Sequence, residues 1–308
     1  MLAVSHALGP LFLLILTGTL LRRLRFPDEQ FWHGAERFIY FLLFPAMLIS
    51  TLATADFGRV AFTGMVGLLA GLLLVLAAVL WLARNRLGLD MPSFTSVFQG
   101  ALRFNTYVGL AGAAALYGDA GITAAAVAIA VMVPLVNILC VLMFVGVDGG
   151  GQSGLWNAIK ALAKNPLLLG CVAGIGLNVT GIGLPGWSRD TLSLAGQAAL
   201  PLGLIAVGVA LQLKALRGTG RAFWQACAIK FAALPMLALL VGWLTGLGEI
   251  ELGVVVLFTA LPTATSSYIL ARQMGGNAPL MAAIITGQTL LAMAILPVWM
   301  SLLAWLRT

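Results

Sequence analysis

Gln99-Gly100-Ala101-Leu102-Arg103-Phe104-Asn105-Thr106-Tyr107-Val108-Gly109 is the stretch on which the reading of the chain turns. It lies in strongly apolar surroundings, yet it brings amide, guanidinium and hydroxyl groups to what should be membrane depth. A second stretch does the same in the other half of the chain, Thr259-Ala260-Leu261-Pro262-Thr263-Ala264-Thr265-Ser266-Ser267-Tyr268. Polar backbone and side chains are costly in hydrocarbon and persist where they are buried in protein or line a cavity. The two stretches therefore read as broken helices that cross near the bilayer midplane and hold a small solute.

Composition sets the surroundings. Hydrophobic residues make up 61% of the chain and charged residues 9%, with a mean hydropathy of +1.04. A soluble domain carries roughly a quarter charged residues. Repeated apolar runs of about 20 residues between short polar loops define an all-α integral membrane protein embedded in a lipid bilayer. The net charge of +7 belongs to the loops and implies no nucleic acid partner. Cys140, Cys171 and Cys227 fall in apolar segments without metal or disulfide spacing, and His6 and His33 are isolated. No metal site, cofactor or enzymatic machinery is expected. The N-terminus lacks a basic region before its first apolar run, which argues against a cleaved signal peptide.

Ten spans follow from the hydropathy pattern: 7–21, 34–53, 60–83, 94–117, 121–146, 160–183, 193–213, 222–247, 251–271 and 277–305. Basic residues orient them. With the N-terminus outside, Arg22, Arg23, Arg25, Arg84, Arg86, Lys160, Lys164, Lys214, Arg217, Arg221 and Arg272 lie inside, against Arg59, Arg189 and Arg307 outside. Eleven against three is a strong bias that one helix more or fewer would scramble. Both termini are expected on the outer side.

The halves also repeat. A shift of 156 residues lays Gly9-Pro10-Leu11 over Asn165-Pro166-Leu167, Gly18 over Gly174, and Pro45 over Pro201. A shift of 157 lays Thr106 over Thr263 and Gly118 over Gly275. Each half holds five spans, an odd number, so the second is inserted upside down. Such inverted repeats characterise secondary transporters, with the site at the repeat interface. The halves are 1–147 and 159–308, joined by a linker over 148–158 that contains the glycine-rich run Gly149–Gly154.

Arg103 reads in two ways, as a cation that attracts an anionic substrate or as a side chain snorkelling to the inner surface. Asn105 and Thr106 follow it, then Tyr107 and, one turn on, Gly109. Pro262 removes a backbone donor and frees a carbonyl; Thr263, Thr265, Ser266 and Ser267 either satisfy such freed groups or line the solute path. Pro45 and Pro201 are expected to kink their helices, with Gly109 and Pro262 as further points of bending. Lys230, about two turns from the inner end of its span, is expected to snorkel. Asn137 and Gln288 are expected to serve helix packing. No acid falls mid-span, Glu36 lying near an end, which weakens a cation-exchange reading.

At these residues the chain resembles the auxin efflux carrier family, whose bacterial members are often described as malonate or malate-type transporters. The resemblance rests on Thr19-Leu20-Leu21-Arg22-Arg23, Phe44-Pro45-Ala46, Phe104-Asn105-Thr106-Tyr107-Val108-Gly109 and Leu261-Pro262-Thr263-Ala264-Thr265-Ser266. It implies ten transmembrane helices in two inverted five-helix repeats, with helices 4 and 9 broken and crossing. It implies a small organic anion bound beside the crossing, with Asn105-Thr106 and Pro262 matching the family's two crossover motifs. Plant members have a proline soon after the asparagine, where this chain has Leu110-Ala111-Gly112, and the second stretch lacks an asparagine. The expectation is a multi-pass carrier of the bacterial inner membrane, working by alternating access, with a homodimer compatible with such a chain. A sodium-coupled symporter of the bile-acid type shares the crossover architecture and is the alternative. An integral-membrane enzyme would need a metal or nucleophile cluster.

Overall fold

The computed structural model describes residues 2–55, 62–148, 164–217 and 219–306, and among these every regular element is helical. The chain runs through α1 (Leu2–Leu24), α2 (Glu29–Leu52), α3 (Phe62–Ala83), the short α4 (Met91–Leu102) and the long α5 (Thr106–Asp148). It continues through α6 (Pro166–Val179), α7 (Gly186–Ala210), α8 (Arg221–Leu244), the short pair α9 (Glu249–Thr259) and α10 (Ser266–Gln273), and α11 (Ala278–Trp305). Residues 149–154 and most of the expected linker lie outside the described residues.

Among the described residues, seven stretches are long and apolar enough to cross a bilayer. One of them, Met91–Phe144, holds 54 residues, far more than the about 20 that one crossing needs. It is interrupted after Leu102, and α5 turns sharply again at Gly118, where φ is 58° and ψ is −143°. That backbone conformation suits a residue without Cβ. Leucines, valines and tryptophans such as Leu13, Leu20, Val79, Val172, Trp187 and Trp243 point outward and are at least half exposed. An apolar surface of this extent belongs against lipid. The chain is a multi-pass membrane protein.

Two helices carry a π turn immediately before a proline. Ile39–Leu43 precedes Pro45 in α2, and Ile229–Ala233 precedes Pro235 in α8. A proline ring collides with the carbonyl one turn earlier and cannot donate to it. One extra residue per turn relieves both problems and lets the helix continue. Pro201 lies inside the unbroken α7.

Helix contacts fall into two groups. Helices α1, α2, α6 and α7 pack on one another, while α3, α4, α5, α8, α9 and α11 form a second body. Glycines set the close approaches in the first group. A Cβ on Gly18 would collide with the Ile205 carbonyl of α7, and one on Gly208 with the Ile15 carbonyl of α1. On the other side, a Cβ on Gly174 of α6 would lie 2.8 Å from Leu52 Cβ and 3.1 Å from Ile49 Cα of α2. Small residues allow this backbone approach in membranes, where packing drives helix association. Gly208→Ala is expected to separate α1 from α7 and lower stability by about 2 kcal/mol. Gly9→Ala, at a position with nothing within 4 Å, is expected to leave it unchanged. Thermal melting of the two variants in detergent checks the contrast.

Candidate functional site at the crossing of two broken helices

The two polar stretches meet. The Asn105 N–H donates to the Pro262 carbonyl at 2.7 Å, joining one interruption to the other. Each break has its own local cause. On the first strand the helix ends at Leu102, Arg103 adopts an extended conformation with ψ of 150°, and Asn105 starts α5. The Asn105 Oδ1 accepts from the N–H groups of Tyr107 and Val108 at 3.0 and 3.2 Å. This is an N-cap, the position that asparagine favours. On the second strand, Pro262 cannot continue a helix and biases Leu261 away from helical angles. Accordingly α9 ends at Thr259 and α10 begins only at Ser266.

Behind the break, Thr263 and Gln288 hold the two strands together. Gln288 Oε1 accepts from the Thr263 N–H at 3.0 Å and from its hydroxyl at 2.6 Å. Gln288 Nε2 donates to the Gly100 carbonyl at 3.0 Å, and Thr263 Oγ1 lies within 2.9 Å of the same carbonyl. Gly100, Thr263 and Gln288 are all buried. Gln288, expected to serve packing, is the hub of the crossing. Lys230 departs from expectation more sharply. It is 0% exposed, so it does not snorkel. Its Nζ instead donates to the Ala101 carbonyl at the end of α4, at 3.4 Å. The freed carbonyls of a helix terminus carry partial negative charge and need donors, and the Lys230 amine supplies one.

In front of the break lies a cavity of about 380 Å³. Arg103, Asn105, Thr106, Tyr107, Thr265 and Ser266 line it, whereas Pro262 and Thr263 do not. The site residues read from the sequence thus divide into a cavity set and a supporting set. Arg103 donates to the Ser266 hydroxyl at 3.0 Å, bridging the two strands across 163 residues. Among the described residues no carboxylate pairs with it. Thr265 caps α10 without a side-chain hydrogen bond, so the positive end of that helix faces the same space. Tyr107 stacks on Phe44 of α2, with centroids 4.6 Å apart and planes within 5°. Pro45 therefore sits beside the residue that joins α2 to the broken strand. Gly109 is helical rather than a break, and its missing Cβ leaves room for Leu261 and Phe258.

The opposite wall was not read from the sequence. His33, Glu36, Arg37 and Tyr40 of α2 face the cavity, as do Asn137 of α5 and Asn165, whose side chain caps α6. Glu36, expected near a helix end, brings a carboxyl to the cavity wall. Asn137, expected in helix packing, lines the cavity too. The spacing of His33, Glu36/Arg37 and Tyr40 marks one face of a helix, which is the signal that could have found them. A second, wider space of about 830 Å³ shares His33, Glu36, Thr265, Ser266 and Ile269 with the first. It extends past Arg22 and Arg25 at the end of α1. The crossing is therefore reached from the end of the molecule that carries the N-terminal arginine cluster.

A membrane-embedded helical protein with two interrupted helices meeting at a polar cavity has the form of a membrane transporter. Residues 155–300 match the family described as "membrane transport protein". The chain is also 23% identical over 290 residues to a protein of Methanothermobacter thermautotrophicus described as an uncharacterized transporter, covering 93% of this chain and 94% of the relative. These matches bear out the carrier-family resemblance drawn from the sequence. The protein is a membrane transporter, a class distinct from enzymes.

Proposed function

We propose that the protein is a secondary carrier of small organic anions, such as dicarboxylates or auxin-like aromatic carboxylates. The observation that carries this reading is Arg103, a cation lining the cavity at the crossing with no carboxylate partner among the described residues. A substrate carboxylate between the Arg103 fork and the N-terminus of α10 would meet charge-assisted hydrogen bonds and a positive helix end. Cavity walls built from Tyr40, Phe41, Val133, Val136 and Ile269 would take its apolar body.

Transport proceeds by alternating access, with the body of α1, α2, α6 and α7 rocking against the rest. The inverted repeat supports it. The approach of Gly18 to Ile205 and that of Gly174 to Ile49 involve pairs related by the same offset of 156 residues with partners exchanged. Gly118 and Gly275, related by an offset of 157, both adopt positive φ, 58° and 74°. In that frame α4 with the first part of α5 is one broken span, and α9 with α10 is its inverted equivalent. The halves 1–147 and 159–308 then supply five spans each. The charge bias supports an orientation with both termini outside a bacterial inner membrane, in which the cavity opens inward.

The test is uptake into liposomes carrying the purified protein, with labelled malate and labelled indole acetate, with and without ion gradients. Saturable uptake of either acid above protein-free liposomes is expected. If neither enters nor competes, the organic-anion reading is wrong.

A further inference from the structure

Lys230 is a charged side chain that the anion site does not use. It sits on the π turn of α8, where the backbone carries one residue more than a regular turn, and Trp299 Nε1 donates to the carbonyl of the neighbouring Phe231 at 2.8 Å. A charged group inside a membrane protein faces a cavity or a partner. Lys230 lines neither of the two spaces beside the crossing. Among the described residues it meets no carboxylate, and its hydrogen bond runs to the Ala101 carbonyl.

The position of that carbonyl gives the charge its role. Helix α4 stops at Leu102 in the middle of the protein, so its last carbonyls have no following turn to bond to. Gly100 O is taken by Gln288 Nε2, and Ala101 O by Lys230. Two residues beyond Ala101 stands Arg103, a cation at the cavity. A cation is suited to this terminus by the partial negative charge of the helix end. The inverted counterpart has no such group, because the position equivalent to Lys230 at an offset of 157 is Leu73. At α9, the threonine hydroxyl of Thr259 returns to Val255 and Val256, and Pro262 O is taken by Asn105.

We infer that Lys230 is a positioning residue of the transport cycle, a built-in cation that holds the carbonyl end of α4 and thereby fixes where Arg103 enters the cavity. The inference goes beyond the organic-anion reading, since it concerns how the crossing is held and not what is carried.

The experiment uses the full chain as wild type, Lys230→Met, Lys230→Ala and Lys230→Arg, each followed by thermal melting in detergent and by liposome uptake of labelled malate and indole acetate. Lys230→Ala leaves a space at the Ala101 carbonyl, and methylammonium is the probe for it. The expected result is a melting temperature lowered in Lys230→Ala and Lys230→Met. Methylammonium raises it in Lys230→Ala alone, with no effect on wild type or Lys230→Met. Uptake is expected to fall at least tenfold in both variants, with partial recovery in methylammonium for Lys230→Ala only. Lys230→Met melting and transporting as wild type would overturn the inference, and so would failure of methylammonium to stabilise Lys230→Ala. If wild type carries neither acid, the organic-anion reading fails on its own, while the melting arm still decides the role of Lys230.

Discussion

Arg103→Ala is expected to lower the affinity for a carboxylate substrate by roughly tenfold to a hundredfold, the worth of one or two hydrogen bonds from a charged group. The protein should stay folded, because the guanidinium is only partly buried and its hydrogen bond within the protein is to the Ser266 hydroxyl. Arg103→Lys keeps the charge but loses the planar fork, so it should recover part of the affinity and not all of it. Raising ionic strength should weaken binding in wild type more than in Arg103→Ala, since screening acts on the charge that the variant lacks. Binding isotherms for malate and indole acetate at two salt concentrations, with thermal melting as the folding control, make the measurement. Unchanged affinity in folded Arg103→Ala would remove the arginine from the site.

Gln288→Leu should produce the largest loss of stability. The side chain is buried with both ends engaged, accepting from the Thr263 N–H and donating to the Gly100 carbonyl. Leucine fills similar space but leaves the Thr263 N–H without its partner and removes the Nε2 donor from the Gly100 carbonyl. A buried group stripped of its partner costs about 1–3 kcal/mol, and the two losses together should reach about 3 kcal/mol. Thr263→Val should cost less, because Gln288 still serves both the Gly100 carbonyl and the backbone N–H of residue 263. Thermal melting orders the variants, with Gln288→Leu lowest. Equal melting temperatures for both would show that the crossing is held by packing alone. Arg103→Ala and Gln288→Leu also separate the two faces of the crossing: the first should change affinity at constant stability, and the second stability first.

The contrast between Asn105 and Gln288 shows where sequence reading reaches. Asn105 could be placed because its role is local: an asparagine before an apolar helix caps the amides two and three residues on. Pro262 was equally legible, because a proline constrains its own neighbourhood whatever surrounds it. Gln288 lies 188 residues from its partner Gly100, and nothing in its own helix distinguishes it from a packing glutamine. Lys230 misled for the same reason. Its distance from the end of its span suggested escape to the surface, while the depth of the protein around it closes that route and offers a helix terminus instead.

By itself the sequence determined a helical membrane protein, its two polar interruptions and its likeness to a family of carriers. These follow from properties that accumulate along the chain: apolar runs of bilayer length, basic loops and residues that break helices locally. Tertiary structure alone decided that the interruptions touch through Asn105 and Pro262, that Arg103 reaches Ser266, and that Glu36, Asn137 and His33 share the cavity with them. Those relations depend on how helices far apart in the chain pack side by side. A buried donor or acceptor is satisfied by whichever helix lies against it, and one-dimensional spacing carries no record of that neighbour.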